Sequence, residues 1–208
     1  MTATLDRAAA RRWMDAFAAD FETQRVRLTE LDRAAGDGDF GANLRSALGK
    51  VQQRLAADPQ TARAVFAAVS DAFLDTGGTS GPLFGMWFRA LSRALPETDP
   101  ADVTQLAEGV REGTATVQRL GGAEVGDKTM VDAMVPAVAA LTDATGTGPQ
   151  QALTAAAEAA EAGAASTEDL VARRGRASYV GEVARGVLDP GALAVALFFR
   201  AGARALDG

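Results

Sequence analysis

Leu5, Ala9, Trp13, Phe17 and Phe21 recur at helical spacing, and Arg11, Arg12, Asp15 and Asp20 fall between them, so the chain opens with an amphipathic helix whose apolar stripe faces a core. The same periodicity predicts helices over about 42–57, 61–76, 82–95, 100–120, 128–143, 149–164 and 167–174, and a last, more apolar one over about 190–205. No stretch alternates apolar and polar residues as a strand would. Breakers separate the segments at Asp58-Pro59, Pro96 to Pro100, Gly121-Gly122, Gly146 to Pro149 and Asp189-Pro190-Gly191. Thr154 to Ala165 is almost entirely Ala, Glu and Gly, which reads as a strong helix former with side chains small enough for close helix packing. The pattern predicts an all-α, antiparallel multi-helix bundle with short connections.

Composition narrows the chemistry. At 208 residues and 48% hydrophobic the chain suffices for one domain with its own core, and residues 1–208 are expected to form it. The net charge of −6 argues against nucleic acid or an anionic membrane as partner, and no apolar run reaches the length of a membrane span. A cytoplasmic location is expected. There is no cysteine, which excludes disulfides and thiolate sites, and no histidine, which removes the usual general base and any phosphohistidine role in this chain.

The segment from Leu31 to Asn43 carries the strongest local signal. Asp32, Asp37 and Asp39 lie within eight positions, and Gly36, Gly38 and Gly41 between and beside them let the backbone turn the carboxylates toward one point. Mg²⁺ takes such oxygen ligands and keeps positions for water and phosphate. The packing alternative is an acidic helix-to-helix turn in which Asp39 caps the next helix.

Other junctions repeat the glycine theme. In Thr76-Gly77-Gly78-Thr79-Ser80-Gly81-Pro82, Thr79 or Ser80 is placed to cap a helix whose free amides and positive dipole end suit a phosphate. In Leu120-Gly121-Gly122-Ala123-Glu124-Val125-Gly126-Asp127-Lys128-Thr129-Met130, Asp127 is the expected cap and Met130 suits one side of a flat base, or simply the core. Arg173-Arg174-Gly175-Arg176 concentrates guanidinium groups that pair with phosphate oxygens, or that cap a helix end. In an up-and-down bundle alternate loops share an end, which would gather these junctions around a Mg-nucleotide.

In their order, Leu31-Asp32 through Gly36-Asp37-Gly38-Asp39 to Asn43, Thr79-Ser80-Gly81-Pro82-Leu83, Gly126-Asp127-Lys128-Thr129-Met130, Gly175-Arg176-Ala177-Ser178-Tyr179 and Asp189-Pro190-Gly191 resemble the nucleotide-binding L subunit of dihydroxyacetone kinases over nearly the whole chain. The resemblance implies an eight-helix, barrel-like bundle with ADP or ATP and Mg²⁺, two ions, in the loops at one end. It implies Asp32, Asp37 and Asp39 as metal ligands, and Gly41, Asn43, Thr79, Ser80, Gly121, Met130, Arg176, Asp189, Pro190 and Gly191 as nucleotide contacts. It further implies phosphoryl transfer to dihydroxyacetone held covalently by a histidine of a separate K subunit. The bound ADP is then either recharged by a phosphohistidine-carrying M subunit of the sugar phosphotransferase system or exchanged for ATP. Phe40 stands at a further nucleotide-contact position that the resemblance implies, but it departs from the pattern, because the family carries a histidine there and a phenyl ring donates no hydrogen bond to phosphate. The departure leaves open a relative acting on another ketose. The nucleotide domain of fatty acid kinases resembles the same acidic motif, and a non-catalytic helical regulator is the alternative from another class.

Overall fold

Asp6 caps the first helix by accepting a hydrogen bond from the Ala9 amide at 2.8 Å, and in α1 (Arg7–Ala35) the apolar stripe is buried from Ala9 to Phe21 and again at Leu28. In the computed structural model, which describes residues 4–78 and 80–207, seven more α-helices follow: α2 (Phe40–Leu55), α3 (Ala62–Leu74), α4 (Ser80–Ala94), α5 (Val103–Gly121), α6 (Val131–Asp143), α7 (Pro149–Ser166) and α8 (Pro190–Ala205). Each helix packs on the next, and α8 returns to α1, so the bundle closes into a ring. Among the described residues the only β pairing is a single bridge between Leu5 and Ala101. No described helix is long and apolar enough to cross a membrane.

Aromatic side chains fill the interior of the ring. The Trp13 indole donates to the Phe198 carbonyl at 2.7 Å and stacks on the Phe198 ring at a centroid distance of 4.6 Å. Phe66, Phe17, Trp87 and Phe88 surround that pair edge-on. Away from the glycine-rich loops, Asp99 ties two helix starts together, accepting from the Arg7 amide at 2.6 Å and the Ala62 amide at 2.9 Å.

One predicted helix does not form. Residues 167–174 hold only a single 3₁₀ turn, Thr167–Asp169, before the chain extends. The Arg173 amide bonds to the Asp127 carbonyl of another loop at 3.1 Å, and Gly175 turns the backbone with φ +69°. A helix needs those amides for itself. The segment between α7 and α8 is instead an irregular strap with three 3₁₀ turns, Thr167–Asp169, Arg176–Tyr179 and Gly181–Ala184.

The alanine-rich stretch packs α7 tightly. Ala152, Ala156, Ala160 and Ala164 are buried, and a Cβ built on Gly163 would stand 2.1 Å from the Asp132 carbonyl oxygen and 3.1 Å from the Ala133 Cα of α6. Two helix backbones meet there, and neither can rotate away as a side chain would. Gly163→Ala is therefore expected to destabilise the fold by about 2–3 kcal/mol in denaturant unfolding, although alanine gains about 1 kcal/mol in helix propensity. An unchanged midpoint would show that α6 and α7 separate without cost.

Candidate functional site

The connections α1–α2, α3–α4, α5–α6 and α7–α8 lie at one end of the ring, where they enclose two adjoining cavities. The smaller, about 80 Å³, is lined by Asp32, Asp37, Asp39, Phe40, Asn43 and Ser80, among others. The larger, about 300 Å³ and more apolar, is lined by Gly121, Met130, Asp189, Pro190 and Gly191, with Leu83, Val117 and Val131 as its greasy wall. Asp32, Phe40, Ser80 and Arg176 border both, so the two form one continuous site. Gly41 lines neither. It packs against α1, where a Cβ would meet Thr29 Oγ1 at 2.2 Å. Thr79 lies outside the described residues.

Asp32, on the last turns of α1, is 7% exposed, and its Oδ2 accepts from the Phe40 amide at 2.9 Å. A residue eight positions earlier thus satisfies an orphan amide at the start of α2, while Asp39, the residue before that helix, makes no side-chain cap. Gly36 is needed for this, since a Cβ there would sit 2.3 Å from Asp32 Oδ1. Burial raises the Asp32 pKa and the neighbouring Asp37 charge adds to the rise, against the Phe40 hydrogen bond that lowers it. Asp37 faces Arg176, with Nε 3.1 Å from Oδ2.

Among the described residues, no three of His, Cys, Asp or Glu stand together as a preformed metal group. The donor chemistry nevertheless fits a hard cation. Three carboxylates line one wall, Asp32 sits in a cradle that any Cβ at position 36 would fill, and Asp37 is held off by a single exposed guanidinium.

The α5–α6 junction is shaped by a residue that the periodicity treats as ordinary. α6 starts at Val131, and buried Asp132 accepts from the Gly126 amide at 2.6 Å and the Thr129 amide at 2.8 Å. Asp127, the expected cap, instead accepts from the Glu124 amide at 2.9 Å. Lys128 is also ordinary by its spacing, yet it is fully buried, and burial lowers its pKa against the pull of Asp189, Glu168 and Asp132. Its sequence signal is its place within the Gly126-Asp127-Lys128-Thr129-Met130 motif, which gives the residue no role of its own.

Asp189 caps α8, accepting from the Ala192 amide at 2.7 Å, with Pro190 in the first turn. Burial pushes its pKa from 3.8 up to about 7, and the Asp132 charge adds to the rise. Between those two values the folded protein holds a proton that the unfolded chain has released, so ionisation of Asp189 erodes stability as pH rises through that window. Asp189→Asn keeps the cap acceptor and removes the titration. From pH 4 to 7 it is expected to gain about 1–3 kcal/mol relative to the wild type in denaturant unfolding; parallel stability curves would place the carboxyl in water.

Comparison with known proteins gives the same outline. The chain is 34% identical over 200 residues to the PEP-dependent dihydroxyacetone kinase 1, ADP-binding subunit DhaL, of Listeria innocua, covering 95% of this chain and 96% of that one. It is 40% identical over 178 residues to the L-erythrulose 1-kinase of Mycolicibacterium smegmatis, covering 84% of this chain but 31% of that protein. The fold superposes with a TM-score of 0.72 and 28% identity on the dihydroxyacetone kinase from C. freundii in complex with AMP-PNP and Mg²⁺, over 95% of this chain and 33% of that one. With the DAK2 domain model matching residues 34–204, the chain belongs to the DAK2 domain family.

Proposed function

We propose that residues 1–208 form the nucleotide-binding subunit of a dihydroxyacetone kinase, which holds ADP or ATP with Mg²⁺ and passes the phosphoryl group to dihydroxyacetone on a separate K-type subunit. The observation that carries this reading is the convergence of four alternate loops, which puts carboxylates, an arginine and a glycine-bearing helix start around one site. The near full-length likeness to an ADP-binding subunit supports it.

In this reading the more apolar cavity takes the base, with Met130 on one side and the Gly121 turn on the other, while the phosphates point to the smaller cavity and the start of α4 at Ser80. Asp32, Asp37 and Asp39 would hold the cation, two ions in all, which when bound neutralises phosphate charge and draws the transferring group into line. Arg176 leaves Asp37 and turns its fork onto phosphate oxygens, an exchange of one charged partner for another. The Phe40 side chain has no donor and its amide is bound to Asp32, so at this position a hydrogen bond to phosphate comes from a neighbouring group or a water. The chain offers no histidine, and no covalent intermediate is required of it. The acceptor hydroxyl comes from the K-type partner, and a phosphohistidine-carrying M-type protein recharges ADP in place, in keeping with the PEP-dependent relative. The erythrulose kinase relative favours a four-carbon ketose as the second candidate acceptor.

Calorimetric titration of ADP, first with Mg²⁺ and then with a chelator, tests the nucleotide site. Binding is expected only with the metal, and Asp37→Ala is expected to weaken it by about 100-fold, or about 2.7 kcal/mol, while leaving the thermal midpoint within about 2 °C because Asp37 lies in a turn. Metal-independent binding, or full affinity in the variant, would remove the carboxylates from the site. A coupled assay with a K-type subunit, offering dihydroxyacetone and then erythrulose, identifies the acceptor.

A further inference from the structure

Lys128 is among the largest fully buried side chains of the protein, and it occupies a left-handed backbone position with φ +62° that would suit glycine better. Its ammonium donates to the Thr167 carbonyl and, at 2.6 Å, to the Val187 carbonyl. Those two carbonyls are the two ends of the strap between α7 and α8. One charged group on the α5–α6 junction therefore closes the loop that leaves α7 and the loop that enters α8.

The strap has little else to hold it. Its buried apolar contacts form a small cluster of Ala35, Ala172 and Ala184, separate from the main core, and Tyr179 and Val183 on it are exposed. Besides the Arg176–Asp37 pair, its other ties are single hydrogen bonds: Gly186 to the Glu168 carbonyl at 2.8 Å and the Asp189 amide to Thr167 Oγ1 at 2.9 Å across its base, and the Arg173 amide to the Asp127 carbonyl at 3.1 Å and Arg174 Nε to the Gly122 carbonyl at 2.8 Å toward the α5–α6 junction. A segment with so few buried contacts opens locally unless its ends are pinned. Yet it is this strap that carries Arg176 to the border of both cavities and onto Asp37.

We infer that Lys128 is a positioning residue, a buried clamp that fastens both ends of the strap and through it holds Arg176 over the phosphate end of the site. The role in nucleotide binding rests on the function proposed above; the clamping of the strap does not. Without the ammonium, the Val187 carbonyl loses its partner, the Thr167 carbonyl keeps only the Leu170 amide at 3.3 Å, and a positive charge beside Asp132, Glu168 and Asp189 is removed. The strap then lifts, and Arg176 leaves with it. A direct contact between Lys128 and the nucleotide is the competing role, and it predicts a different relation to Arg176.

The test uses Lys128→Met, with Lys128→Gly as a second variant that relieves the left-handed backbone while removing the clamp. Limited trypsinolysis without nucleotide reads the strap itself at Arg173, Arg174, Arg176 and Arg185. Cleavage there is expected to quicken by about tenfold or more over the wild type, with sites elsewhere unchanged. Calorimetry then compares Mg-ADP with adenosine. Affinity for Mg-ADP is expected to fall about tenfold and affinity for adenosine to stay within about twofold, a split that general loss of stability would not produce. Arg176→Ala should lose the same factor, and the double variant should lose no more than either single one. Unchanged cleavage in the strap overturns the clamp, as does failure of both variants to fold, which would make Lys128 a determinant of the bundle. Multiplying losses in the double variant overturn the route through Arg176. A wild type that ignores Mg-ADP sinks the nucleotide reading, while the trypsin result still decides the clamp.

Discussion

Closure of the helical ring is the constraint from which the site follows. α8 must return to α1, and the contact that receives it is the Trp13 indole, hydrogen-bonded to the Phe198 carbonyl at 2.7 Å and stacked on its ring. Gly202 allows the approach, since a Cβ there would lie 2.4 Å from the same indole. With eight sequentially packed helices closed in this way, every second connection falls at the same end. The acidic turn, the start of α4, the α5–α6 junction and the strap are neighbours for that reason, although they are far apart in the chain.

At that end the loops are held by charge rather than by apolar burial. Asp32 and Asp132 act alike, Asp32 reaching from α1 across the turn to the first amide of α2 and Asp132 reaching from α6 back to two amides of the adjoining loop. Lys128 does the complementary work with carbonyls. Groups of this kind keep a loop in one shape only while every donor and acceptor is matched, because an unmatched buried polar atom is costly. Burial at this end disfavours the charged form of Asp32 and Asp189 and raises both carboxyl pKa values.

Hydropathy periodicity was enough for the helical class, for most helix limits to within a few residues, and for the breakers between helices, since each depends on residues near one another in the chain. It failed over 167–174, where the local pattern is helical but the Arg173 amide is taken by Asp127 from another loop. It likewise put the cap of α6 on Asp127, whereas Asp132 inside the helix reaches back to the loop.

The acidic cluster, the glycine-bearing helix starts and the arginine group were legible in the amino-acid order, because residue type alone sets what each group is able to bind. Three things belonged to the tertiary structure: that Arg176 meets Asp37, that Gly41 packs against Thr29 of α1 and lines neither of the two adjoining cavities, and that Lys128 spans the two ends of the strap. Each joins segments whose separation is fixed only when the ring closes. A sequence states the chemistry of its side chains locally, and only packing at a distance decides which of them face one another.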